Sequence, residues 1–111
     1  MYNSGEVVLI NFPFTNLKDL KIRPALVISE KMEDIIVAGI FSKIPEALED
    51  SWILIEENAS WFTQTGLKKT SIIKTEKIAV IHTSLVKKRL GSLPDEIFAL
   101  VKEKLRKTLH L

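Results

Sequence analysis

Short apolar segments alternate with polar turns along most of the chain, and only the last segment changes to a helical spacing. The first apolar segment, residues 6–12, is rich in β-branched and aromatic residues and follows the turn residues Asn3, Ser4 and Gly5, which predicts a β-strand. The same pattern predicts four further strands, at residues 25–29, 34–42, 52–56 and 70–79. The third of the five, DIIVAGIFS, is nearly continuous in apolar residues, so we expect it to be buried on both faces.

The segments between and after these strands have different signals. Residues 43–51 are predicted to form a polar loop, and NASWFTQTG, residues 58–66, a loop or turn. Residues 83–89 are predicted to form one or two helical turns that stop at Gly91. A longer helix is expected to begin near Pro94, with acidic residues close to its positive end. Its apolar stripe, at helical spacing, consists of Ile97, Leu100, Val101, Leu105 and Leu109.

Many short strands followed by one amphipathic helix are typical of a small β-barrel that the helix caps. A chain of 111 residues is long enough to bury a core of its own. We therefore predict a single domain of residues 1–111 that is mainly β, with a C-terminal α-helix.

The composition excludes several classes of site. The chain contains no cysteine, which removes disulfides, thiolate nucleophiles and cysteine-based zinc sites and fits a reducing cytoplasm. No apolar run approaches the roughly 18 residues of a membrane span, and the N-terminal residues lack the features of a signal peptide. No phosphate-binding glycine loop occurs, and no spacing of His, Asp or Glu indicates a metal site. We expect a cytoplasmic protein with no membrane association and with no metal or other cofactor.

The net charge of +2 is small but unevenly distributed. Residues 1–66 carry five Lys/Arg and ten Asp/Glu, and residues 67–111 carry eleven and four, so the two parts have charges of −5 and +7. Such an asymmetry permits a basic face that attracts phosphates. A solvated C-terminal helix that carries many of the lysines explains part of the asymmetry equally well.

Arg23 is the first candidate for chemistry because the following proline restricts its backbone to extended conformations. Its guanidinium is always charged and offers a fork of donors suited to a phosphate. Lys18 and Lys21 lie in the same segment, so the three cations could grip a phosphate together. The alternative is an exposed cation that pairs with Asp19 or with a terminal carboxylate, and the spacing alone favours this alternative.

Lys74 and Glu76 form the second candidate pair. Residues i and i+2 of a strand project from the same face, so a cation and a carboxylate would stand side by side. Such a pair could transfer a proton near a phosphate. It could equally be an exposed ion pair that contributes little.

Four other residues are weaker candidates. Trp61 and Phe62 lie in a polar segment, where they would either stack on unpaired bases or pack over an edge of the core or an interface. His82 and His110 have the chemistry of an acid–base pair, but His110 is the penultimate residue, where chains are commonly mobile. We therefore do not expect the two histidines to act together.

Beyond these single residues, a set of segments resembles, in order, the pattern of the MazF/PemK family, the toxins of toxin–antitoxin pairs. The likeness extends from about Gly5 to Leu105, and the ordered set is more specific than any one piece. The segments are GEVVLI (5–10), FPFT (12–15), RPALVIS (23–29), IVAGI (36–40), GLKKTS (66–71), KTEKI (74–78) and KRLGSLPDE (88–96).

The resemblance implies an SH3-like small β-barrel of the MazF/PemK/CcdB type, assembled as a homodimer. It also implies a sequence-selective, metal-independent endoribonuclease that cleaves single-stranded RNA by attack of a ribose 2′-hydroxyl on the adjacent phosphate. The products would be a 2′,3′-cyclic phosphate and a 5′-hydroxyl, and DNA would be spared. The implied partners are mRNA and an antitoxin protein whose flexible acidic tail occupies the RNA groove.

The same resemblance assigns roles to individual residues. Arg23 matches the family's arginine before proline, which stabilises charge on the cleaved phosphate and donates a proton. Lys74 and Glu76 fall where the PemK branch carries an arginine and an aspartate, and the carboxylate there acts as base toward the 2′-hydroxyl. Lysine keeps the charge but lacks the bidentate fork of arginine. RNA contacts are expected from Thr15, Asn16, Lys18, Lys21, Lys43 and Thr70.

One position departs from the family's pattern. The family usually places a catalytic threonine directly after the strand at residues 36–40, and this position is Phe41 here, followed by Ser42 and Lys43. Phenylalanine cannot donate a hydrogen bond to a phosphate. Either Ser42 takes over the catalytic role through a small shift of the strand, with help from Lys43, or the activity is reduced or replaced by binding. A one-residue slip moves a side chain to the other face of a strand, so Ser42 does not automatically reach the position of the family's threonine.

The leading hypothesis is therefore an RNA-cleaving toxin in which Arg23 is central. The alternative, motivated by Phe41, is a catalytically weak or inactive family member that only binds an antitoxin, RNA or a protein target. Relatives of this barrel can poison a topoisomerase by binding it, and a retired toxin could do no more than dimerise and sequester an antitoxin.

Overall fold

The computed structural model describes residues 1–12 and 21–111, and in this part of the chain six strands form one antiparallel sheet. The strands are β1 (Glu6–Phe12), β2 (Lys21–Lys31), β3 (Asp34–Phe41), β4 (Trp52–Ile55), β5 (Ser71–His82) and β6 (Val86–Ser92). A one-turn helix, α1 (Phe62–Thr65), precedes β5, a 3-10 turn (Thr83–Leu85) joins β5 to β6, and α2 (Asp95–Leu109) follows β6. The predicted fold class, mainly β with a C-terminal α-helix, is confirmed.

The order of strands across the sheet is β4-β5-β3-β2-β1-β6. Among the described residues β4 and β6 are the two ends of this order and do not pair with each other, so the sheet is open. The arrangement is consistent with the expected SH3-like fold, although the sheet does not close into a complete barrel.

Alternation along the strands divides the core between the two faces of the sheet, because successive side chains of a strand point in opposite directions. One face packs under α2 and forms the helix-side core: Val7, Leu26, Ala38, Ile40, Ile53, Ile55, Ile73, Leu93, Val101 and Leu105. The opposite face forms a second core: Val8, Ile10, Ala25, Val27, Ile35, Val37 and Ile81. Strand β3 contributes to both cores, which confirms the prediction that it is buried on both faces.

The ends of several elements differ from the predicted ones. Strand β2 begins at Lys21, before Pro24, although proline has no N–H for a ladder. Its ladder with β1 includes Pro24, but its pairing with β3 begins only at Ala25, after the residue that has no N–H to donate. Strand β5 continues to His82 and does not stop at residue 79.

The predicted helical turns at residues 83–89 are wrong. A 3-10 turn occupies only Thr83–Leu85, and residues 86–92 form strand β6. This strand pairs with β1 from Glu6 opposite Ser92 to Ile10 opposite Val86. Pairing with a strand far away in the sequence therefore overrides the local preference of this segment. The expected loop at residues 58–66 likewise contains the single helical turn α1.

Two glycines hold α1 close to β6. Gly66 has a φ of +73°, and a Cβ atom placed on it would lie 2.0 Å from the carbonyl oxygen of Leu90. A Cβ on Gly91 would lie 2.1 Å from the carbonyl oxygen of Gln64. Since such distances are far below van der Waals contact, only glycine fits at either position.

The helix α2 begins and ends as its sequence predicts. Asp95 and Glu96 lie in its first turn and Arg106 and Lys107 in its last, which suits the helix dipole at both ends. Val101 and Leu105 are its buried residues and join the helix-side core. In the part of the chain that is described, no helix has the length and apolar character needed to cross a membrane.

Candidate nucleic-acid interface and active site

Two cations and two aromatic rings alternate across four neighbouring strands on the face opposite α2. The guanidinium carbon of Arg23, on β2, lies 5.4 Å from the centroid of the Phe41 ring, on β3. The ammonium of Lys74, on β5, lies 4.9 Å from the same ring and 4.6 Å from the ring of Trp52, on β4. All these distances are in the range of cation–π attraction. We call Arg23, Phe41, Lys74 and Trp52 the cation–aromatic row.

The strand register produces this row. Ala25 pairs with Gly39, and the same antiparallel register two residues further places Arg23 across from Phe41. Lys74 pairs with Gly39 of β3 on one side and with Trp52 of β4 on the other. Its side chain therefore lies between the two aromatic rings, because diagonal neighbours on adjacent strands are within reach of long side chains.

Directly after Lys74 the ladder between β3 and β5 is interrupted. Ala38 pairs with Ile78 but its neighbour Gly39 pairs with Lys74, so residues 75–77 have no partner on β3 in the described ladder. A bulge of this kind bends the strand and re-aims side chains, and bulges occur often beside active sites. Thr75, the first bulged residue, is fully buried, whereas Glu76 is exposed.

Arg23 carries an unpaired donor. Its side chain is partly buried, and its Nε atom is buried without a hydrogen-bond acceptor among the residues that the structure describes. Buried polar groups nearly always have a partner, and an orphan calls for one that is not among these residues, such as a water molecule or an anion. Since a guanidinium presents several N–H donors in one plane, Arg23 is arranged to take an anionic acceptor from outside the fold.

Glu76 is held by Ser51, the residue before β4, and by Trp52, the first residue of β4. The indole Nε1–H of Trp52 donates to Oε2 at 2.8 Å, and the hydroxyl of Ser51 donates to Oε1 at 3.1 Å. Burial raises the pKa of this carboxyl, but hydrogen bonds from Trp52, the Glu76 backbone and Ser51, together with the charge of Lys74, lower the pKa below its ordinary value overall. Glu76 is therefore ionised at neutral pH.

Lys74 and Glu76 are brought together through Trp52. The ammonium of Lys74 lies over the indole ring, while the carboxylate accepts from the N–H at the edge of the same ring. The two charged groups therefore contact different parts of the same rigid indole ring. This is a different arrangement from the regular i, i+2 spacing that the sequence suggested, because the bulge intervenes between the two residues.

Ser42 lies apart from the row. It lines a cavity of about 330 Å³ together with Leu9, Pro24 and Lys68. Pro24 and Ser42 directly follow Arg23 and Phe41, so the strand alternation points them to the opposite face. The structure does not bring Ser42 to Arg23, and its catalytic role stays a prediction that this register does not favour.

The predicted RNA contacts lie in several places. Lys43 is exposed in the loop after β3, outside the row. Thr70 exchanges two hydrogen bonds with Glu57: its hydroxyl accepts from the Glu57 N–H at 3.0 Å, and its own N–H donates to the Glu57 carboxylate at 3.3 Å. Lys21 is the first residue of β2. The remaining three, Thr15, Asn16 and Lys18, lie outside the described residues.

The weaker candidates do not contribute to the row. Trp61 and Phe62 pack against the helix-side core, which favours the packing interpretation. His82 lies at the far end of β5, bonded to Ser84 and 3.5 Å from Glu33. Within the described residues no group of three or more His, Cys, Asp or Glu could hold a metal ion. The metal independence of the protein stays a prediction.

Sequence reasoning missed Ser51 and Trp52, the residues that hold Glu76. A tryptophan at the polar start of a predicted strand was the available signal, because a partly buried indole N–H usually finds an acceptor. The identity of that acceptor depends on the register between β4 and β5, which the sequence does not state.

Comparison with known proteins agrees with this fold. Residues 3–109 match the sequence model of the PemK-like, MazF-like toxins of type II toxin-antitoxin systems. Since the match spans nearly the whole chain, the chain belongs to this toxin family. A search among curated proteins finds no match.

Solved structures give the same answer for the fold. The chain is similar to an endoribonuclease in complex with its cognate antitoxin from a mycobacterial species, with a TM-score of 0.74, 12% identity and coverage of 100% of this chain and 97% of that chain. It is similar to the Mycobacterium tuberculosis toxin MazF-mt6 (TM-score 0.72, 14% identity, coverage 96% and 97%). It is also similar to a MazE-MazF structure from Deinococcus radiodurans (TM-score 0.72, 16% identity, coverage 99% and 96%). At these identities the likeness establishes the fold alone, and the resemblance to MazF and PemK is confirmed.

Proposed function

We propose that this protein is a sequence-selective, metal-independent endoribonuclease toxin that cleaves single-stranded RNA. The observation that carries the proposal is the cation–aromatic row: at one end the Nε of Arg23 has no acceptor among the residues that the structure describes, and at the other end Trp52 holds an ionised carboxylate, Glu76. Positive groups suit the phosphates of an RNA chain. The rings of Phe41 and Trp52 suit its unpaired bases, since stacking on aromatic side chains tolerates any base.

The proposed reaction is an internal transesterification. Glu76 accepts the proton of a ribose 2′-hydroxyl, the 2′-oxygen forms a bond to the adjacent phosphorus, and the bond to the 5′-oxygen breaks. The leaving 5′-oxygen takes up a proton, for which Arg23 and Lys74 are the donors that the row offers. The products are a 2′,3′-cyclic phosphate and a 5′-hydroxyl, and no water or metal enters the balance.

The charges of the site fit these roles. Arg23 and Lys74 stabilise the extra negative charge that develops on the phosphoryl oxygens, and such preorganised stabilisation is commonly the largest catalytic contribution. Glu76 has a lowered pKa, so it is ready to accept a proton at neutral pH but is a weak base.

The same basic site is proposed to bind the toxin's inhibitor. Two of the similar solved structures hold a toxin with its antitoxin, which supports a cognate antitoxin for this protein. A flexible acidic tail would satisfy Arg23 and Lys74 as a phosphate does, and would thereby block RNA. We further propose that the toxin acts in the cytoplasm as a homodimer, where mRNA is its substrate.

The test is cleavage of a mixed single-stranded RNA in excess EDTA by purified wild-type, Arg23→Ala and Arg89→Ala proteins. Arg89 is the matched control: it also contacts an aromatic ring, Tyr2 at 4.3 Å, and it pairs with Glu6, away from the row. We expect Arg23→Ala to lower the cleavage rate on the order of 10²–10³-fold and Arg89→Ala to cleave like the wild type. Fragment ends should carry cyclic phosphates. Equal rates for Arg23→Ala and the wild type would refute the assignment.

A second candidate function is supported by Phe41. A phenyl ring occupies the position where the family resemblance predicts a hydroxyl, and the nearest hydroxyl along the chain, that of Ser42, lies on the other face of the sheet. The protein would then be a catalytically weak or inactive family member that binds an antitoxin, RNA or a protein target. Intact RNA that is nevertheless retained by the folded wild-type protein, and released by Arg23→Ala, would establish this second function.

A further inference from the structure

The last turns of α2 are connected to Glu76 by a short series of hydrogen bonds. The carbonyl of Asp50 accepts from the ammonium of Lys104, on α2. The next carbonyl, that of Ser51, accepts from the hydroxyl of Thr75 at 2.7 Å and more weakly from the Thr75 N–H at 3.4 Å. The Thr75 hydroxyl in turn contacts the hydroxyl of Thr108, the penultimate residue of α2, at 2.7 Å.

The direction of these bonds follows from the number of protons. A threonine hydroxyl has a single proton, and that of Thr75 is donated to the Ser51 carbonyl, which cannot donate in return. The proton between the two hydroxyls therefore belongs to Thr108, which donates to Thr75. The two hydrogen bonds therefore run in the same direction: Thr108 donates to Thr75, and Thr75 donates to the carbonyl of Ser51.

Thr75 is also where the bulge of β5 begins and is fully buried. Its neighbour in sequence is Glu76, and the carbonyl it binds belongs to Ser51, whose own hydroxyl donates to the Glu76 carboxylate. Trp52, the other donor to Glu76, is the residue after Ser51. Thr75 therefore fixes the carboxylate from two sides: through its own backbone, and through Ser51 and Trp52 at the entry to β4.

We propose that Thr75 is a positioning residue, which, backed by Thr108 of α2, fixes Ser51 and Trp52 so that they hold the Glu76 carboxylate in place. Thr75 acts through these residues and does not itself touch RNA. The catalytic consequence rests on the proposed function, whereas the effect on Glu76 itself does not. The C-terminal helix is thereby part of the active-site framework as well as of the core.

The direct test is the pKa of Glu76, followed through the carbon-13 signal of its carboxyl group in NMR titrations without RNA. We compare the wild type with Thr75→Val, which keeps the shape but removes the hydroxyl, and with Thr75→Ser, which keeps the hydroxyl. Lys74, the charged group that acts on Glu76, is present in every variant. Thr75→Val should raise the pKa of Glu76 toward its ordinary value, and Thr75→Ser should leave it lowered.

A matched control separates positioning from general loss of stability. Thr65 is likewise fully buried, and its hydroxyl donates to the carbonyl of Phe62 at 2.7 Å, in α1. Thr65→Val should cost a similar amount of stability and leave the pKa of Glu76 unchanged. An unchanged pKa in folded Thr75→Val, or an equal rise in Thr65→Val, would overturn the proposal.

A second variant covers the case in which Thr75→Val does not fold. Thr108 is only partly buried, and Thr108→Val removes the donor to Thr75 but leaves the bond to Ser51. It should raise the pKa of Glu76 by a smaller amount. An unchanged pKa in this variant would then overturn the proposal.

The catalytic consequence is measured separately on single-stranded RNA. Because small misplacements of a reacting group are costly, Thr75→Val should lower kcat on the order of 10-fold with KM little changed, and shift the acidic limb of the pH–rate profile upward. Thr75→Ser should restore both. If the pKa of Glu76 responds as expected but the wild-type protein does not cleave RNA, the proposed function fails and the positioning role of Thr75 stands. If RNA is cleaved but the pKa of Glu76 does not respond, the positioning role fails and the proposed function stands.

Discussion

Replacing Phe41 by threonine tests whether the row is a modified version of the family's catalytic arrangement. Phe41 lies across from Arg23 on the same face, at the position where the family resemblance predicts a catalytic hydroxyl. Phe41→Thr would place such a hydroxyl beside Arg23. Phe41→Val is the matched control, because valine has the shape of threonine without its hydroxyl.

The cost in stability can be worked from the contacts of the ring. Phe41 is partly buried against the second core, so its truncation should cost about 2 kcal/mol, half of the loss at a fully buried phenylalanine. Two cation–π contacts, to Arg23 and Lys74, contribute roughly 0.5 kcal/mol each at a partly exposed site. Both variants should therefore lose about 3 kcal/mol of unfolding free energy, which is measurable by urea denaturation.

The activity should separate the two variants. Because a donor placed at developing charge is worth on the order of 10²-fold, Phe41→Thr should cleave RNA faster than Phe41→Val by about that factor, and faster than the wild type. Rates are compared on one single-stranded RNA in EDTA, at a temperature where all three proteins are folded. Equal rates for the two variants would refute the role of a hydroxyl. Rates far below wild type in both would instead show that the Phe41 ring itself serves the reaction or RNA binding.

Two further predictions concern stability. Since the pKa of Glu76 is lowered in the fold, its ionised form stabilises the protein above the ordinary carboxyl pKa, and this contribution is lost as the pH falls through the lowered value. The difference in unfolding free energy between wild type and Glu76→Gln should therefore shrink from about pH 7 to about pH 3, and a constant difference would contradict the hydrogen-bonded carboxylate. Gly66→Ala should lose roughly 3 kcal/mol through backbone strain and overpacking, because its Cβ would lie 2.0 Å from the Leu90 oxygen. Gly5→Ala, which also has a positive φ but meets only Phe98 at 3.7 Å, should lose clearly less, and equal losses would show that the clash is not decisive.

The local sequence pattern was sufficient to predict an element whose formation depends mainly on its own residues. Strand β1 has the predicted bounds, and α2 begins just after Pro94 because the proline, the acidic first turn and the apolar stripe all agree. It was insufficient for β6, whose pairing with β1 joins residues about 80 positions apart in the chain. The bulge after Lys74 was also not predictable, because the three polar residues that form it, at positions 75–77, are equally compatible with a regular, partly exposed stretch of strand.

In the candidate site, likewise, the sequence predicted the individual charged residues but not the contacts between strands. Arg23 was identified by its position before a proline, and Lys74 and Glu76 by a two-residue spacing. The contacts that define what these groups can do are with Phe41 on β3, with Trp52 on β4 and with Ser51 just before β4. Such contacts depend on strand order and register, which bring together residues from four separate strands.

The two departures from the family's pattern are in contact with each other. By the family resemblance, Phe41 falls where a threonine is expected and Lys74 where an arginine is expected, and the Lys74 ammonium lies 4.9 Å from the Phe41 ring. A compact ammonium fits between the Phe41 and Trp52 rings, whereas a guanidinium would have to lie flat on one of them. The ring also supports Arg23, and contact with an aromatic face leaves the in-plane N–H donors of a guanidinium available to an acceptor. The Phe41 ring thus contacts both cations of the site, and where the family resemblance predicts a hydroxyl donor it supplies a surface that holds positive charge.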